Sequence, residues 1–474
     1  MRSFFSRTLS LALACVAASL AARAEEPLHR DVLVFVPGYE ASQLFDPTLR
    51  PEGDDAPCVW GNLDAMRQSD LYFALRMPNP LIAKPMLSAG PVDVYGAFVD
   101  GITDSHDAAP HFHPFTQGAD FFIFAYDWRQ EIATVLAPEF ADALQKYARI
   151  HEEKTGVPAP DVHFIIIAHS MGGLVARTLL SEDPQWAPRV TALYLVGTPN
   201  LGTVKTIKTI VTGPGGLRQA ALDFPASLLN LLPNDVDSRV TKLVAVTRPS
   251  LYELLPFQDP RWECVAADGS RTRIAAPDLL SVGPWEPYWP TGDAERKLFL
   301  DDWLKKRIAE GRKKIDLPDW EYCQDPAYGQ LQKMLVQTRE WRLKMGSLSY
   351  TDLLLTPPGG SSRLKLVVGT GLKTPTGVIT EGAHDFCTAR YTYAPDTDGD
   401  ETVTGASVLD DLHPGPGQLK LMVNVTHGRL IIDDQFLSYI YDELSSAPLI
   451  GGHRSETADT PVHAPPLSTG SSVP

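Results

Sequence analysis

Positive charge is scarce in this chain. Its 42 Lys and Arg stand against 58 Asp and Glu, a formal net charge of -16 over 474 residues. A surface of that sign lacks the basic patches that phosphate contacts need, which argues against nucleic acid as a partner. Cysteine is scarcer still: Cys15, Cys58, Cys264, Cys323 and Cys387 make five, at spacings that match no zinc site. Long apolar runs are missing too. Leu9 to Leu20 is too short to span a bilayer, and no other segment is long and apolar enough. No part of the chain repeats another.

What remains is a globular composition, 44% hydrophobic and 21% charged, with enough length for one large domain carrying an insertion, or for two. The first residues read as an export signal. Arg2 and Arg7 supply the positive start, Leu9 to Leu20 the apolar stretch, and Ala22-Arg23-Ala24 a small-residue cleavage site. The mature chain is then expected to begin at Glu25, in a periplasmic or secreted protein. A lipoprotein reading through Leu13-Ala14-Cys15 fits less well. Four cysteines survive cleavage, an even number that suggests disulfides outside the cytosol, with three pairings open.

Strands are predicted at Asp31–Val36, Phe121–Tyr126, His163–Ala168 and Ala192–Gly197, the first two of buried type, and the strand rhythm recurs at Leu364–Gly369 and Leu419–Val423. Phe140, Leu144, Tyr147 and His151 recur at helical spacing, so a helix is predicted from Pro138 to about Lys154. Strands alternating with helices mean a parallel sheet wrapped by helices. The rhythm breaks between about Leu201 and Leu354, and returns at Leu364.

One strand runs straight into Ala168-His169-Ser170-Met171-Gly172-Gly173, and an amphipathic helix begins at once. This is the strand–serine–helix pattern of a nucleophile elbow, in which a sharp turn lifts the serine hydroxyl above an α/β-hydrolase sheet. Only tiny side chains fit two positions either side of the serine. Gly172 meets that need, and Ala168 stands where glycine is usual.

A serine needs a neighbouring base, and in this fold the partners follow in the order serine, acid, histidine. His427 comes just after the last strand and is preferred to His413 and His384, which precede it. The loop from Asp396 to Val403 holds several carboxylates, and spacing alone does not choose among Asp396, Asp398, Asp400 and Glu401. Asp396, Asp398 and Asp400 also open like an EF-hand, but Glu401 occupies its glycine position and Ser407 its closing glutamate. An EF-hand is thus excluded; a looser calcium site stays open. The oxyanion hole calls for two backbone N–H groups, expected from Met171 and from Tyr39 after Pro37-Gly38.

Six motifs in one order resemble the lecithin:cholesterol acyltransferase family, which includes lysosomal phospholipase A2-type enzymes. They are Val36-Pro37-Gly38-Tyr39-Glu40-Ala41-Ser42-Gln43-Leu44, Tyr126-Asp127-Trp128-Arg129, the serine motif, Gly197-Thr198-Pro199-Asn200-Leu201-Gly202, Pro249-Ser250-Leu251-Tyr252-Glu253-Leu254-Leu255-Pro256, and Gly399-Asp400-Glu401-Thr402-Val403. The resemblance implies that Asp400 is the triad acid and that Tyr39 occupies the oxyanion donor position. It also implies an acyl-lipid esterase working through an acyl-enzyme, with water or an alcohol taking the acyl group. Glu401 departs from the family, which has glycine there. No close cysteine pair lies near Trp60, which argues against a lipoprotein-binding mode. Asp127 and Arg129 read best as a buried structural ion pair.

The expectation is therefore an exported α/β-hydrolase with a mostly parallel sheet and a large inserted cap, needing no cofactor or metal. Residues 1–24 form the signal, 25–200 and 355–446 the core, 201–354 the cap and 447–474 a disordered tail. The triad is Ser170, Asp400 and His427. The expected activity is that of a serine acyl hydrolase or O-acyltransferase on acyl-lipids, phospholipase- or lipase-like. A carboxylesterase or thioesterase on non-lipid esters is the alternative, as is a catalytically silent lipid-binding protein. Ser227 to Pro233 and Trp285 to Trp289 either line an acyl channel, with transient contact to a membrane surface, or pack the cap onto the core. Lys305-Lys306-Arg307 and Arg312-Lys313-Lys314 either meet anionic headgroups or form a solvated helix face.

Overall fold

A computed structural model describes residues 31–49, 56–62, 75, 77, 79–104, 112–212, 244–258, 260–289, 328–346, 363–381, 385–394, 398–410, 414–415 and 417–446. Six strands form the central sheet: β1 (Val32–Val36), β2 (Phe121–Ile123), β3 (Phe164–His169), β4 (Val190–Val196), β5 (Leu364–Thr370) and β6 (Leu419–Val423). Their spatial order is β6-β5-β4-β3-β1-β2, and every pairing is parallel. Every residue of β1 and β3 is buried, which explains why both read as unbroken apolar runs: in a parallel sheet both faces are covered.

The covering helices follow from the sequence pattern. Helix α1 spans Gly96–Thr103, α2 Ala137–Thr155 and α3 Met171–Glu182. The predicted period of α2 holds, with Phe140, Leu144, Ala148 and His151 on its buried face and Gly156 ending it in the left-handed conformation. A single π-turn at Ile132–Leu136 leads into it. Phe98 of α1 lies between Phe35 of β1 and Phe436 of the last helix, with ring centroids 4.8 and 6.2 Å away.

From β1 the chain moves outward to β2, then returns to the other side of β1 and lays down β3 to β6 in turn. The carboxyl ends of β1 and β3 therefore border the place where the winding direction reverses. The loops diverge there and leave a crevice, the natural site for a ligand in such sheets.

A second, smaller body of structure stands beside this sheet. Strands Arg271–Ile274, Arg261–Val265, Gly377–Glu381 and Arg390–Thr392 pair in that order, with one parallel contact between Arg261–Val265 and Gly377–Glu381. Their own core gathers Trp262, Trp285, Trp289, Val378 and Phe386. Among the described residues, helices α4 (Lys205–Thr212), α5 (Pro249–Glu253) and α6 (Gly329–Gly346) lie in the middle region; α7 (Gly405–Leu409) and α8 (Asp434–Ser446) belong to the returning chain.

This corrects the expected division in two respects. The stretch 201–354 contains a hairpin that no alternation announced. The segment 377–392, expected in the core, instead joins that hairpin in the second sheet, because Gly377 to Ile379 has partners on both sides there. Trp285 and Trp289 are buried and packed, and Trp285 Nε1 donates to the Leu279 carbonyl at 2.8 Å. Trp60 is buried as well, its Nε1 donating to the Glu40 carbonyl at 2.8 Å. Packing, not surface contact, accounts for all three indoles.

The disulfide expectation fails for two cysteines. Cys58 and Cys264 are free thiols, Cys58 lying 3.0 Å from the Trp60 carbonyl and Cys264 3.8 Å from that of Val265. Cys323, the side chain of Cys387, the export signal, Ser227 to Pro233, both basic clusters, Asp396, His384, His413 and the tail lie outside the described residues. Among the described residues no helix is long and apolar enough to cross a membrane.

Candidate active site

Ser170 sits between the last residue of β3 and the first of α3, with φ 53° and ψ -125°. Such a conformation is unfavourable for a residue with a Cβ, and it persists because the surroundings hold it. The Ser170 N–H donates to the Val196 carbonyl of the neighbouring strand at 2.8 Å. Gly172 explains the small-residue rule physically. A Cβ there would stand 2.4 Å from the Val36 carbonyl oxygen and 2.5 Å from that of Pro37, both backbone atoms that cannot step aside. Ala168 is fully buried, and its single methyl fits within the fold.

His427 begins the short turn after β6, and its imidazole reaches both partners. Nε2 lies 2.8 Å from Ser170 Oγ, and Nδ1 lies 2.7 Å from Asp400 Oδ2. Asp400 is fully buried. Its second oxygen, Oδ1, accepts the N–H groups of Thr402 at 3.0 Å and Val403 at 2.7 Å. With one oxygen held by the backbone, the other is aimed at the imidazole. The His427 N–H also donates to the Asp400 carbonyl at 2.9 Å. Of the two aspartates described in this loop, Asp400 meets His427, whereas Asp398 accepts the Gly371 N–H. Among the described residues no cluster of three His, Cys, Asp or Glu could hold a metal ion.

Glu401 explains why its motif position favours glycine. Its φ is 74°, in the left-handed region, and its N–H donates to Thr374 Oγ1 at 3.0 Å. A glycine takes this conformation without strain, whereas a glutamate carries a modest cost, about 1 kcal/mol.

The loop after β1 closes over the serine. A Cβ on Gly38 would lie 3.0 Å from Ser170 Cβ, so loop and nucleophile are in direct contact. Tyr39 follows on this loop. Met171, as the first residue of α3, has no intrahelical acceptor for its N–H. The Tyr39 hydroxyl accepts from Arg248 at 2.8 Å, and the same guanidinium stands 3.4 Å from Glu40 and over the Trp128 ring at 4.7 Å. Arg129 is bidentate to Asp127, at 2.8 and 2.5 Å, and also donates to the Asn79 carbonyl at 2.7 Å. It forms a buried structural pair, as its sequence context suggested. The Pro249–Pro256 motif braces this end: Ser250 Oγ donates to the Trp128 carbonyl at 2.7 Å, and buried Glu253 accepts from the Ile132 N–H at 2.8 Å. Burial pushes the Glu253 carboxyl up to about 8.

Ser170 and His427 open onto a cavity of about 480 Å3. Tyr39, Met86, Val92, Leu251, Leu254 and Val403 give it apolar walls. Lys205 also faces it, donating to Thr402 Oγ1 at 3.3 Å; burial lowers its pKa, while the carboxylates of Glu401 and Asp400 work in the other direction. The sequence did not single out Tyr95, Lys205, Arg248 or Tyr391 around this site. Each lies in a stretch without periodicity, and only the folded chain brings it near the serine.

With this geometry in place, comparison with known proteins is informative. Residues 115–219 match the lecithin:cholesterol acyltransferase family. That stretch contains the Tyr126–Arg129, serine and Gly197–Gly202 motifs, and the resemblance drawn from them is borne out there. No curated protein matches the chain. Among solved structures, a Tle4–Tli4 complex aligns with a TM-score of 0.56 at 13% identity, covering 87% of this chain and 97% of that one. A Bacillus licheniformis lipase, BlEst2 in mature form, aligns at 12% identity over 89% of this chain and 94% of that one, with a TM-score of 0.26. The first likeness shows a shared fold. The elbow, strand order and winding identify that fold as an α/β-hydrolase.

Proposed function

We propose that this α/β-hydrolase, a relative of the lecithin:cholesterol acyltransferase family over residues 115–219, is a serine acyl hydrolase or O-acyltransferase acting on acyl-lipids. The observation that carries the reading is the unbroken contact from Asp400 through His427 to Ser170 at the floor of a largely apolar cavity. About 480 Å3 is the size of a small-molecule site, and its apolar walls suit an acyl chain.

The chemistry follows from the contacts. Ser170 Oγ attacks the ester carbonyl while His427 Nε2 takes its proton, and Asp400 holds the imidazole and stabilises the imidazolium. The N–H groups of Tyr39 and Met171 receive the developing oxyanion. The tetrahedral intermediate collapses, His427 returns the proton to the leaving alcohol, and an acyl-serine remains. Water or an acceptor alcohol, deprotonated by His427, then attacks that ester and releases Ser170. No step draws on a metal or cofactor. The export signal read at residues 1–24 supports an activity outside the cytosol, where membrane lipids are available. The middle region from residue 201 contributes Leu251 and Leu254 to the wall for the acyl chain.

The test is a panel of phosphatidylcholine, phosphatidylglycerol, triacylglycerol and short soluble esters, with and without a long-chain alcohol, comparing wild type with Ser170→Ala by mass spectrometry. Fatty-acid release that vanishes in the variant supports the reading, and an acyl-alcohol product adds transferase activity. Cleavage confined to soluble esters would replace it with a carboxylesterase.

A further inference from the structure

Beyond the triad, the site contains a second buried chain of polar contacts. The Gly38 N–H lies 3.0 Å from the Tyr95 hydroxyl, that hydroxyl lies 2.8 Å from His169 Nδ1, and His169 Nε2 lies 3.0 Å from the His427 carbonyl. The direction of each bond is determined by elementary chemistry. A carbonyl only accepts, so Nε2 carries a proton. His169 is buried and stands beside the His427 ring, with centroids 5.1 Å apart, and both effects push its pKa down to about 3. It is therefore neutral, and Nδ1 is a bare acceptor. Tyr95 must donate its single proton to Nδ1, which leaves its lone pairs to accept from Gly38. The chain is satisfied in one arrangement only, and burial holds the Tyr95 phenol protonated by raising its pKa.

The three points it joins are the moving parts of the reaction. Gly38 precedes the oxyanion donor Tyr39, His169 precedes the nucleophile, and His427 is the base. At the first point the chain fixes the Gly38 N–H, while the Gly38 carbonyl accepts from the Ala41 N–H at 3.3 Å. In a trans peptide the next N–H, that of Tyr39, must point opposite to that carbonyl. At the far point the base is clamped through its main chain from both sides, by Asp400 on its N–H and His169 on its carbonyl.

We propose that His169 and Tyr95 are positioning residues that set the distance between the oxyanion donor and the base around Ser170, acting as a neutral Nε2–H imidazole and a donating phenol. This rests on the acyl-transfer reading of the triad. Neither side chain is assigned a chemical step.

Tyr95→Phe is the sharper variant, because the ring that packs on Phe35 at 4.7 Å is kept and only the hydroxyl goes. Activity on a soluble ester is to be divided by the fraction of sites titrated with a fluorophosphonate, so that misfolded protein does not count. The expected result is a drop in kcat per titrated site of about 10- to 100-fold, with KM within about twofold. Affinity for a trifluoromethyl ketone, whose adduct places an oxyanion in the hole, falls by the same factor as kcat/KM. A kcat per titrated site equal to wild type overturns the proposal, since a structural role alone would alter only the titrated fraction or the melting temperature. Nitrogen-15 histidine NMR of the wild type gives an arm that needs no variant: His169 must be the Nε2–H tautomer and must not titrate between about pH 5 and 8. An Nδ1–H tautomer or a titrating His169 overturns it. Wild type that fails to label at Ser170 removes the triad reading itself, and this inference with it; labelled wild type with an unaffected variant removes only the inference.

Discussion

The two bodies of packed structure in this chain are built in opposite ways. The central sheet draws on continuous local runs, five buried residues in β1 and six in β3. The smaller sheet draws on single aromatic residues from distant places: the rings of Trp262 and Trp285 sit 5.5 and 5.0 Å from that of Phe386. The first brings Ser170, His427 and Asp400 together at the carboxyl ends of its strands. The second supports part of the cavity wall: the Tyr391 hydroxyl donates to the Lys205 carbonyl at 3.0 Å where α4 begins. On the proposed function, chemistry belongs to the central sheet and substrate shape to the region beside it, and substitutions in the two should affect different kinetic parameters.

The largest expected effect lies in the central sheet. Ser170→Ala should lower kcat by about a millionfold while leaving the melting temperature close to wild type, since only one hydroxyl is lost. Steady-state kinetics and calorimetry on the same preparation check both halves. Next comes Gly172→Ala. Its new methyl would stand 2.4 Å from the Val36 carbonyl oxygen, so β1 and α3 must part. Misplacing the nucleophile by as little as 1 Å should cost about 100-fold in kcat, with a lowered melting temperature. Wild-type kcat in this variant would show that the elbow does not depend on that close approach.

Trp285→Ala sharpens the contrast from the other side. Removing a fully buried indole should cost about 3–5 kcal/mol of stability, measured by denaturant unfolding. Yet kcat per labelled serine should stay within about threefold, while KM for long-chain esters rises more than for short ones. A loss confined to kcat would mean that the two regions are not separable in this way.

The smallest effect is a pH dependence at the seam between them. The Glu253 carboxyl is raised from 4.5 to about 8 by burial, so the folded state holds a proton that the unfolded state releases earlier. Its contribution to stability is fully present below about pH 4.5 and is lost as pH rises through about 8. Glu253→Gln retains an oxygen for the Ile132 N–H but cannot ionise. It should melt about 2–4 °C higher than wild type near pH 9, and the difference should shrink toward pH 4.5. Melting curves across that range decide it; a gap that widens in acid would reverse the assignment.

What could be read in the sequence follows the same divide. Strands β1, β3 and β4 and helix α2 were legible because parallel-sheet burial and helical spacing leave a local signature. Ser170 was legible from its strand–turn–helix setting, and His427 from its place after the last strand. Asp400 was not separable from its acidic neighbours by spacing; the family resemblance chose it, and its contact with His427 accords with that choice. The hairpin at Arg261–Ile274 and its partner Gly377–Glu381 gave no warning. Their pairing spans more than a hundred residues, and Arg271 to Ile274 alternates too weakly to read as a strand. His169 stood in the most prominent motif, but its part depends on Tyr95 and the His427 carbonyl, contacts that only the fold creates.

The central claim is that Ser170, activated by His427 and Asp400, is the nucleophile. Labelling the purified protein with a fluorophosphonate, followed by peptide mass spectrometry, tests it most directly. The account predicts one adduct, on Ser170, formed in wild type and slowed by orders of magnitude in His427→Ala and Asp400→Asn. A folded wild-type protein that takes no label, or takes it at another residue, would contradict it.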